Sequence, residues 1–177
     1  MRWLLACLLA FGSLAAADDL SSFLRAYKGG NTELTCKYGR SLYRSEIRDE
    51  AILIAAGDAC AKADYIDFVG VLQQRLGESA ASRKAAVYFS TLVLQKRLIA
   101  QFMFEDIGIS AYSLPVTDHI LSRVFEALKR GSYVLVDQNP KRVQIVDKSE
   151  LIDIYTNKKT YIDLYRDKKL VERHRYR

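Results

Sequence analysis

The chain has 177 residues, half of them hydrophobic, with two prolines and a formal net charge of +6. That length suits one domain or two small ones, and an apolar content this high with so little proline excludes a disordered chain. Beyond the N-terminal stretch no uncharged run reaches the roughly 20 residues a spanning helix needs; the closest, Ala85 to Leu94, is followed by Lys96 and Arg97.

The chain starts MRWLLACLLAFGSLAAADDL, with Arg2 ahead of an uncharged run from Trp3 to Ala17 that ends in three alanines. A positive start, a short apolar core and an A-x-A site form a secretory signal peptide. Residues 1–17 are therefore expected to be removed and the protein to be exported, to the periplasm in a Gram-negative source. An uncleaved anchor is the alternative. Leu4-Leu5-Ala6-Cys7 imitates a lipoprotein site but has almost no apolar core ahead of it. Cys7 leaves with the leader, so Cys36 and Cys60 remain, in a compartment that oxidises thiols.

Helical signals follow. Asp18 and Asp19 precede an amphipathic stretch stopped at Gly29-Gly30. Asn31 is placed to cap a second helix, with Leu34, Tyr38 and Leu42 on one face. A third covers about Arg48 to Lys62 and is rich in alanine; a fourth runs from about Tyr65 to Leu76. Ser79 or Ser82 caps a long fifth helix ending near Gly108. It is apolar on most of its circumference, as in a helix buried among others. After the linker 109–116, Thr117 or Asp118 caps a sixth helix, with Ile120, Val124 and Leu128 inward.

Two helices running antiparallel around a turn near Arg48 would place Cys36 and Cys60 side by side, each 12 residues from that turn. A Cys36–Cys60 disulfide is expected, with Cα atoms about 4.4–6.8 Å apart.

After Gly131 the period changes to alternation. SYVLVD, RVQIVD, ELIDIYT, TYIDLYR and KLVERHRY read as five short strands, and the short gaps between them make an antiparallel meander. Ile152, Ile154, Ile162 and Leu164 are expected to face the core, and Asp153, Tyr155, Asp163 and Tyr165 to face away. The fold class is α+β: a helical bundle over 18–108 built around the fifth helix, then a helix and sheet over 117–177, with the option of one shared core.

The charge is uneven. Residues 18–118 carry 12 basic and 13 acidic residues, whereas 119–177 carry 14 and 8. A surface of Lys158, Lys159, Lys168, Lys169, Arg173, Arg175 and Arg177, with tyrosines nearby, fits an anionic lipid headgroup or glycan. The bland alternative is a solvated face with lysines guarding the sheet edges. Nucleic acid is not the expected partner of an exported chain.

Catalytic patterns are missing. With two histidines, His119 and His174, and no H-E-x-x-H or C-x-x-C spacing, the sequence offers no zinc ligand set. Asp153, Asp163 and His174 form a weak constellation that would need to meet on one sheet face. Gly39-Arg40-Ser41-Leu42-Tyr43 and Gly108-Ile109-Ser110-Ala111-Tyr112 both end in tyrosine where a serine nucleophile elbow ends in glycine. No cofactor motif occurs.

Tyr38-Gly39 with Leu42-Tyr43, followed by Ala51, Ala55 and Ala59-Cys60-Ala61, resembles one unit of the Sel1-like branch of the tetratricopeptide repeats. The resemblance spans one unit, from Cys36 to about Lys62. It implies a helical hairpin and a scaffold or partner-binding role. The resulting expectation is an exported, non-enzymatic envelope protein that binds another envelope protein. The alternatives are a binder of anionic envelope ligands through the basic sheet, and an enzyme with an unrecognised acid/base site.

Overall fold

The computed structural model describes residues 18–147 and 149–176; the expected leader, residues 1–17, lies outside them, as do Lys148 and Arg177. The architecture is α+β, with helices first and then a five-stranded antiparallel meander in the order β1-β2-β3-β4-β5. The chain divides into two compact units between Phe89 and Ser90. That point lies inside the long helix α5 (Ala80–Glu105), not in the expected linker.

In the first unit, α1 is helical over 18–28. Helices α2 (Thr32–Arg44) and α3 (Glu50–Lys62) form the hairpin. Asn31 accepts the Leu34 N–H at 3.0 Å, and Asp49 accepts from Ala51 and Ile52 at 2.9 and 3.1 Å, so each helix has a side-chain cap. The inward face of α2 is Thr35, Cys36, Gly39 and Leu42. Of the expected stripe Leu42 is buried, Tyr38 is half-buried and Leu34 is exposed, so the inward face is turned toward Thr35 and Gly39. The cause is Gly39: a Cβ there would lie 2.4 Å from the Ala56 Cβ. The two helices meet through their smallest side chains, and this close approach selects which stripe turns inward. Gly57 makes similar room for the Phe89 ring.

The sulfurs of Cys36 and Cys60 lie 2.09 Å apart, with Cα atoms 4.7 Å apart, inside the expected range. Closing a loop of this length stabilises the fold by about 3–4 kcal/mol in the chain-entropy model.

Helix α4 (Ile66–Leu72) tightens into a 3-10 turn, Gln73–Arg75. The Glu50 carboxylate then accepts the N–H groups of Gly77, Glu78 and Ser79 at 3.0, 2.9 and 3.1 Å. Ser79 caps α5, its hydroxyl accepting the Ser82 N–H at 3.1 Å.

In the second unit α5 is less apolar in its packing than its composition suggests. Leu92, Ile99 and Phe102 are buried, but so are Thr91, Gln95 and Lys96, while Leu94 and Phe104 are exposed. The Gln95 amide donates to the Pro115 carbonyl at 3.2 Å and accepts the Ser122 hydroxyl at 3.0 Å. Helix α6 (Ile120–Lys129) is capped by His119, whose Nδ1 accepts the Leu121 N–H at 3.2 Å. Thr117 and Asp118 were the expected caps. The Thr117 hydroxyl is held instead by Ser122, at 2.7 Å.

The strands are β1 (Val134–Gln138), β2 (Lys141–Asp147), β3 (Glu150–Thr156), β4 (Thr160–Arg166) and β5 (Lys169–Tyr176). Alternation sends Val143, Ile145, Ile152, Ile154, Ile162 and Leu164 to one buried face. Helix α6 lies on that face: Arg123 bonds Asp147 and Glu150 at 2.9 and 2.7 Å, and the His119 ring sits 6.2 Å from His174.

Two measurements test this account. Gly39→Ala is expected to lower stability by about 1–3 kcal/mol through overpacking, read as a shifted urea midpoint. The Gly77 N–H, first among its donors, holds the Glu50 carboxyl well below the usual carboxylate range. A folded value below the unfolded one gives stability at neutral pH that is lost as pH falls through about 4 and below. Glu50→Gln is therefore expected to be less stable than the parent at pH 7, with the gap closing in acid; a gap independent of pH would refute the assignment.

Candidate functional site

The pleat that buries the isoleucines turns Asp153, Tyr155, Asp163 and Tyr165 to the outer face of the sheet, as expected. Pairing of β3 with β4 sets Asp153 directly opposite Asp163, and Tyr155 opposite Tyr161. Like charges in directly opposed positions repel. Both carboxylates are also nearly sealed, at 2% and 1% exposure, so each requires a counter-charge.

The flanking strands supply them. From β2, Arg142 donates through Nε to Asp153 Oδ1 at 2.9 Å and through Nη2 to Oδ2. From β5, Arg173 donates to Asp163 Oδ1 and Oδ2 at 2.9 and 2.7 Å. Both pairs are bidentate forks, the strong geometry for arginine and carboxylate. The hydrogen bonds that each arginine donates to its carboxylate hold its pKa above the ordinary value. The Tyr155 and Tyr161 rings stack with centroids 5.0 Å apart. The hydroxyls of Tyr155 and Tyr165 each reach Asp163 Oδ2 at 3.5 Å. Burial pushes the Tyr155 phenol up, which keeps it a proton donor. Arg142, Asp153, Tyr155, Asp163, Tyr165 and Arg173 line one open depression of about 380 Å³.

A bulge decides which β5 residue faces Asp163. Register slips by one residue between Leu164 and Tyr165. Counted straight from the β4–β5 turn, Glu172 would oppose Asp163 and His174 would oppose Tyr161 on the outer face. The extra residue instead brings Arg173 opposite Asp163 and His174 opposite Ile162. His174 is thus on the inner face, and the Asp153–Asp163–His174 constellation does not assemble.

The predicted cations separate. Lys158 and Lys159 occupy the β3–β4 turn, while Lys168 and Lys169 lie at the β4–β5 turn. These turns are at opposite ends of β4, about 20 Å apart. Arg173 joins the outer-face cluster with its charge matched by Asp163. Arg175 pairs in register with Tyr161, and Arg177 lies outside the described residues. Further basic groups are matched locally: Arg166 bonds Glu150 at 2.5 Å, and Lys141 pairs with Asp106 while donating to the Phe102 carbonyl at 2.9 Å. Among the described residues, the two lysine pairs of the second unit lie at opposite ends of β4.

Arg142 was missed in the sequence. Its two-residue spacing in β2 marks it as outward, but only strand pairing tells that it meets Asp153. The two edge strands also differ. All five residues of β1 are exposed, with Val134, Leu135 and Val136 at 64%, 49% and 47%. Strand β5 interleaves Leu170 and Val171 with Lys169, Glu172, Arg173 and Arg175.

No family model, curated protein or solved structure matches the chain.

Asp163→Asn removes one buried charge and leaves the Arg173 fork without its anion. It is expected to lower stability by about 1–3 kcal/mol, measured by urea unfolding at neutral pH, with the loss reduced in the Asp163→Asn/Arg173→Leu double variant.

Proposed function

We propose that the chain is an exported, non-enzymatic protein that binds a partner protein, and that β1 is the strand that receives it. The observation behind this reading is the contrast between the two edges of the sheet. An edge strand presents unpaired N–H and C=O groups that template another strand, and natural sheets guard such edges with charge. Strand β5 carries four charged residues among its exposed positions. Strand β1 carries one, Asp137, after the uncharged run Val134-Leu135-Val136. A bulge after Leu135 offsets its register and keeps the matching segment short.

The occupant is an extended, apolar segment of an envelope protein, added by main-chain hydrogen bonds with side chains packing beside Leu135. The leader-like start and the Cys36–Cys60 pair support export. The resemblance of the hairpin to a Sel1-like unit points to the same class of role. The alternative, an anionic ligand on the basic sheet, is weakened by the separation of the lysine pairs and by the carboxylates that match the arginines.

A photo-crosslinking residue at Leu135 is expected to yield a discrete adduct in cells, and one at Val171 on β5 none. Val134→Lys is expected to abolish the Leu135 adduct while changing stability by less than about 0.5 kcal/mol. Equal adducts from both edges, or none from β1, would reject this reading.

A further inference from the structure

The outer face of the sheet carries two arginines that are held by carboxylates yet open to solvent. Arg142 and Arg173 are half exposed, with 45% and 53% of their side-chain surface open. Each engages its carboxylate through Nε and Nη2, and Nη1 of each forms no hydrogen bond among the described residues. Both guanidinium planes are therefore fixed by nearly sealed carboxylates, with donors left over. Groups oriented in advance lose little freedom when a ligand arrives. Beside them stand the rings and phenols of Tyr155 and Tyr165, the first backed by the stacked ring of Tyr161.

The local charge selects the ligand class. Two arginines and two aspartates cancel, and Asp137 on the same rim adds a negative charge. An anion entering here meets three carboxylates and gains little net attraction. A neutral polyol gains more: its hydroxyl oxygens accept from the spare guanidinium N–H groups, and the C–H face of its ring packs on tyrosine. The depression, about 380 Å³, lies within the usual size of small-ligand clefts, about 300–1,000 Å³.

We propose that the depression bounded by Arg142, Tyr155, Tyr165 and Arg173 is a binding site for an uncharged saccharide, one or two pyranose rings in length. Arg142 and Arg173 donate to ring hydroxyls, and Tyr155 and Tyr165 supply the aromatic platform. Of β1, Asp137 lines this site and Val134-Leu135-Val136 do not.

The test is a titration of the ¹⁵N-labelled protein with cellobiose, maltose and N,N′-diacetylchitobiose, against inorganic phosphate and galacturonate. At least one neutral disaccharide is expected to shift the amides of Arg142, Tyr155, Tyr165 and Arg173, with an affinity unchanged between about 50 mM and 500 mM salt. Tyr155→Ala and Tyr165→Ala are expected to weaken it roughly tenfold each, with the amide spectrum otherwise intact. Val134→Lys is expected to leave it unchanged, which separates this site from the partner edge. No shift from any neutral disaccharide at tens of millimolar would overturn the proposal. So would tighter, salt-sensitive binding of phosphate or galacturonate at the same residues.

Discussion

The second unit is organised by one electrostatic constraint: two nearly buried carboxylates stand opposite each other on its two central strands. Asp153 and Asp163 repel across the β3–β4 pair and have little water to screen them. Their burial is tolerable only with a cation on each side, and β2 and β5 deliver Arg142 and Arg173. A slip of one residue in any of these pairings would turn a charge into the isoleucine face. The same alternation that places the carboxylates outward gives α6 its apolar floor. Register, core and outer surface are one solution.

The β-bulge in the β4–β5 pair completes that solution. Without its extra residue, Glu172 would be the neighbour of Asp163, and a third carboxylate would join the pair. With it, an arginine arrives and His174 goes to the interior beside His119. Bulges commonly re-aim side chains in this way. Here the displaced residue converts an unstable acidic row into a neutral, donor-bearing surface.

Element order, the meander and the cysteine pairing were legible because each rests on local period and on turn position. What escaped was decided by contact. Helical period draws a stripe on α2 but cannot choose between adjacent stripes; the Gly39–Ala56 approach makes that choice. Histidine is an uncommon cap, and His119 takes the role because Ser122 engages Thr117. Formal charge can be counted along the chain, yet whether Arg142 or Arg173 is available to an anion depends on Asp153 and Asp163, which reach them only through strand pairing. The phase of β5 could not be counted from its turn, because nothing in KLVERHRY marks the bulge.

The unequal edges of the sheet bear on stoichiometry. Linear growth by strand addition requires a receptive edge at both ends, so that each newcomer offers a fresh site to the next. A sheet whose fifth strand is studded with charge offers its neighbour only the first. Under the proposed addition at β1, growth would end after one step, as a capped pair, so three bare aliphatic residues at an edge would not seed a fibre.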